Sequence, residues 1–254
     1  MHDLPHSRLA IENTILATLP PVEFDFLVAR MDPVSLPNGT IVAHAGDAVR
    51  RCYFPCTGMV SLLSVTENGK AIEVGYTGHE GMIGLSAVLG KNEMPYQALV
   101  QAGSDGFLVD ASVVSELFDR HGAFHDALLR YTHVVLRQIS QTAVCNRFHT
   151  IQARLCRWLT VMSERSNNRH LTLTQEFVAH MLGVQRTSIG MIANAMQAEG
   201  LIKYSRGRVE LLDFERLRSS ACECYYVVSS EMAEYAGRQS AGQMSEARQT
   251  HESK

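Results

Sequence analysis

The stretch from Leu171 to Leu212 constrains the fold more than any other part of this chain. Thr174 stands where its hydroxyl can cap a helix beginning at Gln175-Glu176-Phe177. That helix is expected to end at Leu182-Gly183, and a second to begin around Gln185-Arg186-Thr187-Ser188 and run to about Ala198. The connection Leu182-Gly183-Val184 is so short that the two helices must meet steeply, and glycine supplies the left-handed conformation that closes the first. Ala179, four residues before Gly183, leaves room for close approach, and Ile189, six after it, faces inward with Val178, Val184 and Ile192. Ala179, Gly183 and Ile189 form the packing skeleton of a helix-turn-helix. Glu199-Gly200 closes the second helix. Leu201-Ile202-Lys203-Tyr204 and Arg208-Val209-Glu210-Leu211 then flank Ser205-Arg206-Gly207 as a hairpin with a basic tip.

A plain helical hairpin in a core has no need of a small residue, a glycine and a basic wing in this register. A module that reads duplex DNA does, because the start of its second helix enters the major groove. The outward positions there are Gln185, Arg186, Thr187, Gly190, Met191 and Asn194. Arg186 carries the planar fork that matches guanine O6 and N7. Thr187 can meet a thymine methyl or a phosphate, while Gln185 and Ser188 lie at a helix N-terminus whose free amides favour phosphate. Thr174 is grouped with these contacts, and Arg206 and Arg208 are expected to bind backbone rather than bases. The whole chain carries a net charge of −3, but between Asn167 and Arg208 stand Arg169, Arg186, Lys203, Arg206 and Arg208 against only Glu176 and Glu199. This local excess suits a phosphate-facing surface.

Upstream, residues from about Leu9 to Met31 read as short helical segments broken at Pro20-Pro21. From Leu36 short β-type runs alternate with glycine: Thr40–Ala43, Arg51–Phe54, Met59–Val65, Lys70–Tyr76, Leu99–Ala102 and Gly106–Val109. Such spacing indicates a sandwich or small barrel, with Asn68-Gly69 as its clearest hairpin turn. A helix without proline or glycine follows from about Ala123 to Asn146. Phe124, Leu128, Tyr131, Val135, Ile139 and Thr142 recur on it at spacings of three and four, and this seam is expected to pair with a second copy. Leu129, Leu136 and Val144 lie off the seam and are expected to lean on the barrel. Ile151 to Glu164 is a further amphipathic helix, with Leu155, Trp158, Leu159 and Met162 on one face.

The chain resembles the Crp/Fnr superfamily of bacterial regulators from about Leu19 to Tyr226. The resemblance rests on Leu36-Pro37-Asn38-Gly39-Thr40-Ile41, Ala45-Gly46-Asp47, Tyr53-Phe54-Pro55, Thr57-Gly58, Asn68-Gly69-Lys70, Gly78-His79-Glu80-Gly81-Met82-Ile83-Gly84 and the helix-turn-helix. It implies an α+β protein with an N-terminal β-roll of the double-stranded β-helix type as sensor, a long dimerisation helix and a C-terminal winged helix-turn-helix. The expected boundaries are residues 1–122 for the roll with its leading helices, 123–147 for the dimerisation helix, 148–236 for the DNA-binding domain and 237–254 for a disordered tail. The resemblance further implies a homodimer, double-stranded DNA as partner and contact with RNA polymerase.

This sequence also departs from the family's cyclic-nucleotide binders. Their Gly-Glu pair for the ribose is replaced by Gly84-Leu85, and their Arg-Ser pair for the cyclic phosphate by Tyr96-Gln97 before Ala98. A buried phosphate deprived of its charge-assisted fork is costly, so the pocket around Gly84, Leu85, Tyr96 and Gln97 is not expected to hold cyclic AMP. In the recognition helix, the glutamate frequent after the leading arginine is Thr187, and a second arginine found in some members is Met191. The DNA sequence read should differ accordingly.

Other chemistries find little footing. The beginning, Met1-His2-Asp3-Leu4-Pro5, has neither a basic nor an apolar segment of a signal peptide, and no stretch approaches the roughly 18–20 apolar residues of a membrane span. A cytoplasmic protein without membrane contact is expected. The six cysteines are Cys52, Cys56, Cys145, Cys156, Cys222 and Cys224. Cys52-x3-Cys56 offers only two ligands for an iron–sulfur cluster, and Cys222-x-Cys224 in a strand would point its thiols to opposite faces. Histidines 44, 79, 121, 125, 133, 149, 170 and 180 show no zinc spacing. No metal or cofactor is therefore expected, and Cys145 is left as the one candidate redox sensor. A cupin-like enzyme would need His-x-His, which is absent. A roll that binds another protein, with DNA contact residual, is the remaining alternative.

Overall fold

The computed structural model describes residues 9–237, so residues 238–254 of the expected tail lie outside the described residues. After helices α1 (Thr14–Ala17) and α2 (Pro21–Val28), the chain enters strands β1 (Asp32–Leu36), β2 (Ile41–Ala43), β3 (Arg51–Pro55), β4 (Met59–Val65), β5 (Ala71–Thr77), β6 (Gln97–Ala102) and β7 (Ser104–Asp110). They form two antiparallel sheets, ordered β1-β7-β3 and β2-β6-β4-β5, which face each other as a β-roll. Tyr53, Phe54, Leu62, Met82, Ile83 and Phe107 fill the space between them. Strand β1 is not apparent from sequence, because its Asp32-Pro33 start looks like a turn. Five consecutive Cα pairings with β7 make it a strand, with proline at an edge where its missing N–H costs least. At the β4–β5 hairpin only Gly69 takes a positive φ; Asn68 instead uses its side chain, accepting from Thr66 Oγ1 at 2.6 Å.

Helix α3 (Ala111–Phe118) leads into α4 (Ala123–Phe148). Here the seam read from the sequence lies against its own roll: Phe124, Leu128, Tyr131 and Thr142 are buried within the chain, and Val135 packs on the same core. Tyr131 donates from its hydroxyl to Thr77 Oγ1 at 2.8 Å, and buried Gln138 accepts the Tyr76 amide at 2.9 Å. The second bond satisfies a backbone donor on β5, the edge strand of its sheet. The off-seam residues are the exposed ones, with Leu129 at 47%, Leu136 at 60% and Val144 at 44%. The face expected to lean on the roll is thus exposed, and most of the seam packs within its own chain. The helix carries two apolar stripes, and spacing alone does not say which of them packs on the roll.

Beyond α4 come α5 (Ile151–Ser166), β8 (His170–Thr172), α6 (Gln175–Leu182), α7 (Arg186–Ala198), β9 (Ile202–Ser205), β10 (Arg208–Leu211) and α8 (Phe214–Ser219), and residues 224–237 are again helical. This module does not stand apart from the roll. Met59 through Leu63 of β4 are all buried, so over these five residues the strand has no solvent face. One side of β4 points Val60 and Leu62 into the roll; the other points Met59 and Leu63 into a core shared with Leu155, Trp158, Leu159 and Met162 of α5. A continuous apolar run, rather than alternation, is the signature of a strand covered on both faces.

Two buried carboxylates join the halves. Glu73 of β5 accepts from Ser61 Oγ at 2.5 Å and from Trp158 Nε1 at 3.2 Å, and burial pushes its carboxyl upward. Glu80 accepts from the Gly78 amide at 3.1 Å and from Arg165 Nη1 of α5 at 2.6 Å. The Glu80 side chain is 5% exposed and that of Arg165 17%, so removing one partner strands the other charge. Arg165→Met is expected to lower stability by about 3–5 kcal/mol in chemical unfolding, with Glu80→Gln in the same chain recovering much of the loss.

Candidate nucleic-acid interface

Helix α6 is capped at its start by Thr174, whose Oγ1 accepts the Phe177 amide at 3.1 Å. At its end Gly183 adopts φ 62°, its amide donating to His180 O at 3.1 Å while Val184 donates to Ala179 O at 3.0 Å. This paired closure makes the chain turn sharply into α7. Ala179 and Ile189 are buried across the turn with Val178, and Val184 and Ile192 pack at its margin. Gly183 also touches the roll: a Cβ there would stand 2.5 Å from Cδ1 of Ile72 on β5.

Helix α7 buries Ile189, Ala193 and Met196 and turns its other face outward. Gln185, Arg186, Thr187 and Asn194 are exposed, Met191 is 68% exposed, and Ser188 and Gly190 are half-buried. Gln185 is the N-cap, yet no side chain caps the first turn, which contains no acidic residue. The amides of Arg186 and Thr187 are thus free for an anion, and the helix dipole favours one. Among the described residues the Arg186 side chain has neither hydrogen bond nor ion pair.

The hairpin beside α7 closes on Arg206 and Gly207, at φ 49° and 74°, with Ser205 paired to Arg208. Two successive positive φ angles give the tight turn whose twist matches the strands, and glycine takes the second at no steric cost. Strand β10 pairs with both β9 and β8, so the wing is a three-stranded sheet. Lys203, Arg206 and Arg208 are exposed and likewise unpaired among the described residues. Arg169, counted with them in the sequence, is committed elsewhere. Its guanidinium lies 3.2 Å from the Phe214 ring centroid and donates to Ser163 Oγ at 2.9 Å. The basic surface is therefore Arg186 plus the wing, and Arg169 is structural.

In the roll, Leu85 and Tyr96 are buried at 5% and 8%, and burial pushes the Tyr96 hydroxyl up to about 12. Gln97 is half-buried at the start of β6, and Gly84 lies against Cys52 and Val49. The nearby open cleft, about 490 Å³, is lined by Val42, Asp47, Val49, Arg50, Ile83 and Met94 among others, and none of Gly84, Leu85, Tyr96 or Gln97 lines it. Of those four residues, Leu85 and Tyr96 give their side chains to the core. Cys52 and Cys56 are buried, with burial raising both thiols to about 12, which makes them inert. Cys222 and Cys224 do not lie on the strand expected from sequence. Cys222 precedes, and Cys224 opens, the helix over 224–237.

Residues 33–121 match the family model of the cyclic nucleotide-binding domain, and residues 153–220 that of the Crp-like helix-turn-helix domain. The chain belongs to the Crp/Fnr family. It is a DNA-binding transcriptional regulator. Among solved structures it is similar to a Crp/Fnr-family regulator from Eubacterium rectale, at 17% identity and a TM-score of 0.69, covering 81% of this chain and 96% of that one. It is also similar to the c-di-GMP-responsive regulator CLP of Xanthomonas campestris, at 16% identity and a TM-score of 0.64, covering 76% and 100%. A CRP-family regulator from Thermus thermophilus aligns at 20% identity with a TM-score of 0.62, covering 74% and 96%. These likenesses concern the fold. No curated protein sequence matches the chain. Among the described residues no helix is long and apolar enough to cross a membrane.

Gly183 is the joint of the family's DNA-binding motif here, and substitution tests it. Gly183→Ala forces a side chain into left-handed backbone and against Ile72, for a combined cost of about 2–4 kcal/mol. Thermal melts should show that loss, and Ile72→Ala in the same chain should restore only the part due to the clash.

Proposed function

We propose that the protein acts as a homodimer on a two-fold symmetric DNA site, each α7 entering a major groove and the roll serving as a sensor that has lost its cyclic-nucleotide chemistry. Arg186 carries this reading. It stands exposed at the first position of α7, without a partner among the described residues, on a helix end with free amides and beside a wing bearing three further unpaired cations. A fork-shaped cation left unsatisfied at that place suits a guanine edge. Thr187, Met191 and Asn194 lie beside it on the exposed face of α7, and Gln185 and Ser188 flank the amides that would receive a phosphate. Thr174 spends its hydroxyl on the α6 cap, so any DNA contact from it would be secondary.

The dimer reading rests on the exposed stripe of α4. Leu129 and Leu136 are one heptad apart with Val144 following, and Phe148 at the helix end is 74% exposed. Large apolar side chains at that spacing on a 26-residue helix suit coiled-coil packing against a second copy. Loss of nucleotide chemistry is supported by Leu85 and Tyr96, whose buried side chains stand where family members place a carboxylate and a cation. RNA polymerase is the further partner that family membership suggests.

Arg186→Ala should weaken a selected site by about 1–3 kcal/mol while leaving random DNA nearly unaffected. Fluorescence anisotropy on both duplexes checks this, and equal losses on the two would remove Arg186 from base reading. Sedimentation should give a dimer for the wild type and a monomer for Leu136→Glu. A Leu136→Glu dimer as tight as the wild type would place the interface elsewhere.

A further inference from the structure

Four side chains far apart in the sequence converge where α4 ends. Cys145 and His149 lie one helical turn apart at the end of α4, and Cys222 and Cys224 stand at the start of the helix over 224–237. Cys145 Sγ is 3.5 Å from Cys222 Sγ, and Cys224 Sγ is 3.4 Å from His149 Nδ1. All four ligand atoms fall within 4.8 Å of one another. In a tetrahedral site with metal–sulfur bonds of about 2.3 Å and metal–nitrogen bonds of about 2.0–2.1 Å, the ligand atoms lie about 3.5–3.8 Å apart. Little contraction separates the observed arrangement from that geometry.

The surroundings prepare these groups as ligands. His149 Nε2 lies 2.9 Å from Glu223 Oε1, so the carboxylate holds the ring proton on Nε2 and leaves the Nδ1 lone pair facing the thiols. A carboxylate behind a histidine is the usual outer partner of a metal-bound imidazole. Gln141 Nε2 donates to Cys224 Sγ at 3.0 Å. The Arg157 guanidinium lies within electrostatic range of Cys145 and Cys222. Arg157 is buried, and its Nε finds no hydrogen-bond partner among the described residues. A buried guanidinium with its donor idle calls for nearby negative charge.

We propose that Cys145, His149, Cys222 and Cys224 bind one zinc(II) ion in a closed tetrahedral Cys3His site. Three thiols release their protons to solvent as the ion binds, and the resulting centre carries one negative charge opposite Arg157. Three sulfurs and one imidazole with no position left for water are a structural zinc set. A multi-iron cluster spreads its ligands around several metal atoms, which the 4.8 Å grouping does not allow. The ion would fasten the end of α4, at the hinge before α5, to the base of the last helix. That helix returns to the roll through Tyr235, whose ring centroid is 6.4 Å from that of Tyr131. The site thus spans the joint between sensor and DNA-binding module.

The test uses the full chain, purified reduced and without an affinity tag. Elemental analysis is expected to give one zinc per chain, and Cys224→Ser to lose it. His149→Cys, which offers four sulfurs, should retain it. Cobalt(II) added to stripped wild-type protein should give the intense visible bands and the thiolate-to-metal charge-transfer band of a tetrahedral thiolate site, a readout independent of any variant's folding. Stripping should lower the Tm by about 5 °C or more, since only the folded chain assembles the four ligands. The proposal falls if reduced wild-type protein takes up no zinc or cobalt. It falls equally if Cys224→Ser binds zinc as the wild type does, or if Cys145 and Cys222 are recovered as a disulfide whose reduction yields no metal binding.

Discussion

The closure of α6 at Gly183 is the constraint on which the rest of this protein's working surface depends. One residue with φ 62° lets Ala179 and Ile189 meet, sets the angle at which α7 leaves, and presses against Ile72 of the roll. Turn, recognition helix and roll therefore meet at one backbone position. A side chain at that point would disturb both the presentation of α7 and the contact between domains. Helix α7 is held by the packing of Ile189, Ala193 and Met196 and by Gln197, whose Oε1 accepts the Tyr204 amide, which leaves Arg186, Thr187 and Met191 free to meet a ligand.

The same economy appears in the shared core. Strand β4 is covered on both faces, and the buried pair Glu80–Arg165 and the acceptor Glu73 tie the roll to α5. Charges in such a place are poor at adding stability but good at fixing one arrangement, since a slipped interface would leave each unpaired. The roll and the helix-turn-helix module are thus packed on one shared core. The thiol–imidazole cluster lies at the end of α4, just before α5 begins.

How much of this could be read from the sequence followed the range of the interactions. The helix-turn-helix and wing are local: the Thr174 cap, the Gly183 turn and the Arg206-Gly207 hairpin are each decided within a few residues, and α6 occupies Gln175–Leu182 as read. Faces decided by distant partners were not legible. The seam Phe124, Leu128 and Tyr131 looked like a partner interface but packs on the roll, because two apolar stripes on one helix differ only in what folds against them. Tyr96 and Leu85 read as pocket residues and became core. Cys145-x3-His149 did carry a signal, a helical spacing that puts both on one face, but its complement lies 77 residues away at Cys222. Reading Cys222-x-Cys224 as a strand hid that complement.

Arg186 of α7 reading a guanine edge in the major groove is the central claim, and methylation interference on a selected site tests it most directly. Methylating guanine N7 at one position in each half-site, about 34–36 Å apart along the duplex, should block the wild type and leave Arg186→Ala indifferent. Binding unaffected by N7 methylation, or blocked equally in the variant, would contradict it.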